Sequence, residues 1–240
     1  PVISRWHPDG EFLGAFGADL FVMPHGIHID SDEHVWVTDV GRHQVLKMNS
    51  NGEVLLILGR ERFSGSTNDT FALPTGVVTA SDGCIFVSDG YGNARIAKFS
   101  AEGMFLQQWG SRGIENGEFK LPHAIAMDPK GDLFVADREN SRIQMFDCSG
   151  NHLETWQGKE IGKPFSVAAS ATHLFAADCG FPKERRAGLV VVDRKTAEVS
   201  RFGEYGSTRG GMLGPHDITL APDGSVYIAD AGARLHKFVL

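Results

Sequence analysis

Three histidines follow a proline at the opening of the same kind of segment, in MPHGIHID (23–30), LPHAIAMD (121–128) and GPHDITLA (214–221). His25, His123 and His216 are therefore equivalent positions. Three imidazoles brought to one point leave a fourth coordination position open, as in catalytic zinc sites, where the metal polarises a bound oxygen and lowers its pKa. The plainer reading is that Pro-His is only a variant of the opening, as Pro74-Thr75 and Pro164-Phe165 are in two further copies. That reading suffices for one histidine and is strained by three in alternate copies. Asp217 follows His216 where the other two Pro-His copies have Gly26 and Ala124. A carboxylate there either suits a hard cation such as calcium, with backbone carbonyls completing the shell, or is an ordinary surface aspartate. Tyr91 and Arg138 stand in the turns after the second strands of neighbouring copies. A phenol, with an unperturbed pKa of about 10, is a useful base only where a metal or guanidinium stabilises the phenolate. Arg138 can supply that charge or clamp a carboxylate bidentately; read plainly, the two are a turn tyrosine and a surface arginine. His28, His34, His43, His152, His173 and His236 lack the registration and read as surface or satisfied polar groups, and His7 sits in a turn.

The elements that position these residues form a repeat. Its cleanest copy is Leu121 to Arg142, LPHAIAMDPKGDLFVADRENSR, with a strand opening on proline, a turn at Asp128-Pro129-Lys130-Gly131 and an apolar strand closing on Asp137. Further copies occupy 23–39, 73–89, 163–178 and 214–230. Their closing residues, Asp39, Asp89, Asp137, Asp178 and Asp230, are spaced by 50, 48, 41 and 52 residues. A period of that size with only short strands inside it marks a propeller or a solenoid. Each unit holds alternating or β-branched runs, such as VWVTD, VLKMN and VLLIL in the first full copy, joined by Gly-containing turns, and none shows helical periodicity. Four antiparallel strands per unit, repeated about a channel, make a β-propeller. The closing aspartates occur with or without a histidine and read as turn caps.

The expected organisation is all-β, one β-propeller domain over 1–240, with a partial blade at 1–17, complete blades at 23–59, 73–110, 121–158 and 163–203, and a last blade at 214–240. Two closures fit: five blades that join the two ends, or six with an incomplete first blade. Six is preferred, because the three histidines then fall in alternate blades about 120° apart; with five they are unevenly spread. In an antiparallel meander the start of each inner strand and the turn after each second strand share one face, which places Pro-His, Tyr91 and Arg138 at the channel mouth.

Composition bounds the partners. With 42% hydrophobic and 22% charged residues the chain falls in the ordinary soluble globular class, and its net charge of -7 offers no basic stripe for nucleic acid. No window has the apolar length of a membrane span. Cys84, Cys148 and Cys179 lack CxxC spacing and read as small buried hydrophobes. Asn68-Asp69-Thr70 matches a glycosylation sequon, a weak pattern. No signal-peptide pattern is read in the chain, and because it starts inside a repeat that absence is uninformative.

The strings MPHGI, VTDVGRHQVLKM, LLILGR, FVSDGYGNARI, QQWG, VADRENSRIQ and PHDI resemble NHL repeats, and closely resemble the peptidyl-α-hydroxyglycine α-amidating lyases, across nearly the whole chain. The resemblance implies a six-bladed NHL-type propeller with a catalytic zinc on His25, His123 and His216, Tyr91 as catalytic tyrosine and Arg138 as a substrate-binding arginine. It implies a structural calcium on Asp217 and the Ile27 carbonyl. The implied reaction splits a peptide ending in α-hydroxyglycine into a peptide amide and glyoxylate, with Tyr91 as phenolate taking the carbinol proton while zinc holds the carbinol oxygen. It implies a secretory or extracellular location. Similarity also exposes departures. A second active-site arginine and another calcium carbonyl belong to the inner half of the first blade, which precedes this chain. Two disulfides of animal members fall on Ala72 with Gly92 and on Phe134 with Met145, and Gly214 stands where those enzymes have methionine. The alternatives are a non-catalytic NHL propeller that binds a protein or peptide, and a related metal-dependent propeller lyase or hydrolase acting on another carbinolamide or a lactone.

Overall fold

The second strands explain the architecture best. VWVTD, IFVSD and LFVAD are buried along their whole length, and a strand buried on both faces reads as a near-continuous apolar run rather than an alternation. The outer strand FLQQW has a face in water and alternates accordingly. A computed structural model describes residues 3–180, 186–208 and 210–239 of the chain; the parts of the expected spans at 1–2, 181–185 and 240 lie outside the described residues.

The chain forms two compact units, one of Pro1–Asn93 with Ala97–Gln107 and one of Ala94–Ile96 with Gln108–Leu240. In the first, a hairpin of β1 (Ile3–Trp6) and β2 (Phe12–Phe16) precedes the antiparallel meander β3 (Pro24–Ile29), β4 (Val35–Asp39), β5 (Gln44–Met48) and β6 (Val54–Leu58). The next meander is β7 (Gly76–Thr79), β8 (Ile85–Asp89), β9 (Arg95–Phe99) and β10 (Phe105–Trp109), whose last two strands the division crosses. The second unit holds β11 (Pro122–Met127), β12 (Leu133–Asp137), β13 (Arg142–Phe146) and β14 (His152–Gln157), then β15 (Pro164–Ala169), β16 (His173–Asp178), β17 (Gly188–Asp193) and β18 (Val199–Phe202). A short pair, β19 (Glu204–Tyr205) and β20 (Gly211–Met212), leads to the three-stranded β21 (Pro215–Leu220), β22 (Val226–Asp230) and β23 (Arg234–Phe238). Tight turns such as the one at Gly131, with φ 91°, need the left-handed backbone that glycine adopts without a Cβ penalty. Among the described residues no helix is long and apolar enough to cross a membrane.

The fold is all-β, in a five-blade β-propeller arrangement: two blades in the first unit and three in the second. The preferred count of six is corrected, and the five-bladed alternative holds. The hairpin β1–β2 stays a separate two-stranded sheet whose side chains are mostly exposed, with Trp6, Phe12 and Leu13 each more than half in water. A two-stranded hairpin without inner strands behind it buries too little to stand as a blade. The reasoning from a regular 120° spacing of the histidines falls with the sixth blade, so their role has to be judged from local geometry.

Each core lies between sheets of one unit. Trp36, Val45, Phe71, Val77, Ile85, Val87 and Phe99 pack together in the first unit, and Phe134, Ile143, Trp156, Val167, Leu174 and Val190 in the second. The closing aspartates do more than cap their own turns. Each accepts backbone amides from the segment entering its blade: Asp39 from Val22 and Met23, Asp137 from Lys120 and Leu121, Asp178 from Lys163, Asp230 from Leu213 and Gly214. They fix where every inner strand begins.

Candidate active site

The inner strands start irregularly, and that irregularity aims the candidate residues. Pro122 pairs with Asp137 and Ala124 with Ala136, so His123 is left out of the ladder. The same register shift skips His216 between Pro215 and Asp217, Phe165 between Pro164 and Ser166, and His25 with Gly26 between Pro24 and Ile27. Proline has no amide to give the ladder, and a bulge turns the extra residue out of the sheet.

In the first unit the His25 ring lies between two partners. Its Nδ1 is 2.7 Å from the Thr75 carbonyl oxygen and its Nε2 is 3.0 Å from the Tyr91 hydroxyl, with the two rings edge to face at 5.2 Å. A carbonyl only accepts, so Nδ1 carries the proton, Nε2 presents its lone pair, and the Tyr91 hydroxyl donates to it. A carbonyl partner of this kind is what orients a metal-binding imidazole and fixes its tautomer. Gly26 is required next to it: a Cβ there would come within 2.6 Å of the Thr75 oxygen. Ile27 returns to the ladder opposite Val37 with its side chain half exposed. The turn bearing Tyr91 is tied down by Asn93, whose amide donates to the Gly65 carbonyl at 2.8 Å and to Asp89 at 2.7 Å.

The second unit brings together His123, His216 and Arg138 around Phe165. His123 is 2% exposed and its Nδ1 donates to the Phe165 carbonyl, repeating the His25–Thr75 device. The rings of His123 and His216 lie 5.0 Å apart, and Phe165 is 5.0 Å from the first and 5.4 Å from the second. Arg138, in the 3-10 turn Arg138–Asn140, stacks its guanidinium 4.6 Å over the Phe165 ring. Burial first, and the Arg138 charge second, hold the His216 imidazole below its ordinary pKa, which keeps it neutral and able to ligate. Asp217 accepts from Ser166 Oγ at 2.7 Å and from the Ile218 amide at 2.9 Å. Burial pushes its carboxyl above the usual range, and those two hydrogen bonds offset it only in part. The donor set fits a zinc ion by its chemistry: two bulged imidazoles with Nδ1 committed to a carbonyl, and a third held neutral.

The NHL repeat model matches residues 21–48 and 119–146, the two stretches that carry His25 and His123. The chain is 39% identical to peptidyl-glycine alpha-amidating monooxygenase A of Xenopus laevis over 92% of its own length and 25% of that protein's. It is 32% identical to a probable peptidyl-alpha-hydroxyglycine alpha-amidating lyase of Caenorhabditis elegans, over 95% of this chain and 66% of that one. Against the human NHL repeat-containing protein 3 it is 35% identical over 100% of this chain and 73% of the relative. The chain belongs to the NHL-repeat family that includes the amidating lyases. It spans about a quarter of the amidating monooxygenase it matches.

Positions where the amidating-lyase resemblance implied disulfides are neighbours here without cysteine. Phe134 faces Met145 across β12 and β13, and the Gly92 amide donates to the Ala72 carbonyl at 2.8 Å. Gly214, at the family's methionine position, lies against Ala231 and the Cys179 thiol. Thr75 and Phe165, which the sequence presents as mere variants of Pro-His, supply the carbonyls that orient the histidines of the preceding copies. Their only signal is the shared register of Pro-X in successive repeats, because a backbone carbonyl leaves no mark on residue type. The histidines set aside as satisfied polar groups behave so where partners are seen: His28 meets Thr79 at 3.0 Å, His34 meets Asp30, and His43 Nδ1 accepts the Leu73 amide.

Proposed function

We propose that this chain is a zinc-dependent lyase that splits a peptidyl-α-hydroxyglycine into peptide amide and glyoxylate, acting in the secretory pathway or outside the cell. His25, His123 and His216 hold the zinc, Tyr91 is the base, Arg138 binds the glycine-derived carboxylate, and Asp217 with the Ile27 carbonyl holds a structural calcium. The observation that carries the reading is the Tyr91 hydroxyl 3.0 Å from the His25 Nε2, which puts the one candidate base beside a candidate ligand atom. When bound, zinc supplies Lewis-acid polarisation and a positive charge that favours phenolate over phenol. Tyr91 as phenolate takes the carbinol proton; as the carbonyl of glyoxylate forms, the carbon–nitrogen bond breaks and its electron pair leaves with the amide nitrogen. The Tyr91 hydroxyl then returns the proton to that nitrogen, so atoms and charge balance. Incubation with a peptide ending in α-hydroxyglycine is expected to release glyoxylate in a zinc-dependent way, and no release above the uncatalysed rate contradicts the reading.

The calcium assignment has its own test. A carboxyl whose folded pKa lies above its unfolded value favours the folded state when neutral, so stability falls as pH rises through that interval. In chelator at pH 7, Asp217→Asn is therefore expected to be at least as stable as the parent chain. Added calcium should raise the melting temperature of the parent and leave the variant unchanged; an equal rise in both contradicts the assignment. A second reading, a propeller that binds a protein or peptide without chemistry, draws support from the human NHL repeat-containing protein 3, which matches along the whole chain under a name that states no activity. Such a propeller releases no glyoxylate and needs no zinc.

A further inference from the structure

One carboxylate in the second unit is divided between two cations. Glu139 Oε1 accepts from Arg138 Nε at 3.0 Å, and its Oε2 accepts from Lys163 Nζ at 2.8 Å. None of the three is a surface group in full contact with water: their side chains are 16%, 33% and 20% exposed for Arg138, Glu139 and Lys163. Burial would raise the Glu139 carboxyl, but the Lys163 bond and charge, and then Arg138, bring it below its ordinary value, so it is ionised. Lys163 is itself fixed by its backbone, with its amide on Asp178 at 2.7 Å and its carbonyl accepting from the Cys179 amide. Two residues later, Phe165 gives its ring to Arg138 and its carbonyl to His123.

We propose that Glu139 and Lys163 are positioning residues that set Arg138 to receive a substrate carboxylate. Glu139 fixes the Nε edge of the guanidinium while Phe165 supports its face, which leaves the plane of the fork with one orientation. A lone Glu139 would repel the incoming carboxylate; Lys163 cancels that charge and returns a net positive charge to the group. The subsite then discriminates a ligand with a terminal carboxylate from the same ligand capped as an amide, and this extends the lyase reading by saying how the glycine end is selected.

Calorimetric titration of the chain with a short peptide ending in glycine, and with the same peptide ending in an amide, tests this without turnover. The parent chain is expected to prefer the carboxylate by about tenfold, the scale of one charge-assisted hydrogen bond. Lys163→Met should bring that preference close to one with unchanged melting temperature, and Lys163→Arg should restore it, whereas Glu139→Gln, which keeps an oxygen for Arg138 Nε and removes the repelling charge, should keep or raise it. A preference that is absent in the parent chain, survives in Lys163→Met, is lost in Glu139→Gln, or falls only together with the melting temperature overturns the proposal. Failure of the lyase reading looks different: no glyoxylate is released while the carboxylate preference and its loss in Lys163→Met persist.

Discussion

Tyr91→Phe is expected to lower turnover of an α-hydroxyglycine peptide by about 10²–10⁴-fold, the range that a positioned general base contributes. The substitution removes one oxygen. The edge-to-face packing of ring 91 on the His25 imidazole, 5.2 Å between centroids, is kept by phenylalanine, as are the backbone ties that hold the turn. Zinc content and melting temperature should therefore stay at the parent values while kcat falls, and the Michaelis constant should move little, because the proton is taken after the substrate is bound. Steady-state kinetics with glyoxylate detection measures this. A variant within about threefold of the parent, less than half a factor-of-ten step in barrier terms, rules out Tyr91 as the base.

Asp137→Ala is expected to destabilise the fold by about 3–5 kcal/mol, the cost of removing one partner from a buried ion pair. Asp137 is fully buried and holds four groups at once: the Lys120 and Leu121 amides at 2.9 and 3.0 Å, the Asn140 side chain at 2.7 Å and Arg142 Nε at 2.9 Å. Alanine leaves the Arg142 guanidinium, 3% exposed, without its carboxylate and loosens both the entry to β11 and the turn that carries Arg138. Arg142 retains three loop carbonyls, from Ile114, Glu115 and Glu118, which keep the loss at the lower half of that range. Urea unfolding of the two proteins reads the difference directly; a loss under about 1 kcal/mol would mean that the aspartate contributes no more than a single ordinary hydrogen bond.

How much of this was legible in the sequence depends on whether a role leaves a mark on residue type. The all-β fold and its repeat could be read because strands buried on both faces must be apolar throughout and because the second strand of each blade ends on an aspartate. That aspartate was read too narrowly, as a turn cap, since its amide partners lie about fifteen positions earlier and carry no side-chain signature. The blade count failed for a related reason: ISRW and FLGAF alternate like third and fourth strands, and only burial shows that, Ile3 and Phe16 apart, most of their side chains stay in water. In the site, His25, Tyr91, His123, Arg138 and His216 stood out as chemically expensive residues at registered positions. The bulges that turn the histidines out of the sheet follow from the prolines before them. Thr75 and Phe165 act through carbonyl oxygens, and Glu139 meets Lys163 across twenty-four positions of chain, so no local pattern announces either.

The central claim is that the three bulged histidines hold a metal which makes Tyr91 a base. Elemental analysis of the purified chain beside His123→Ala, both checked for unchanged far-ultraviolet circular dichroism, tests it most directly. About one zinc per parent chain and none in the variant is the result expected of a three-histidine site. A parent chain without stoichiometric zinc, or a variant that keeps it, contradicts the account.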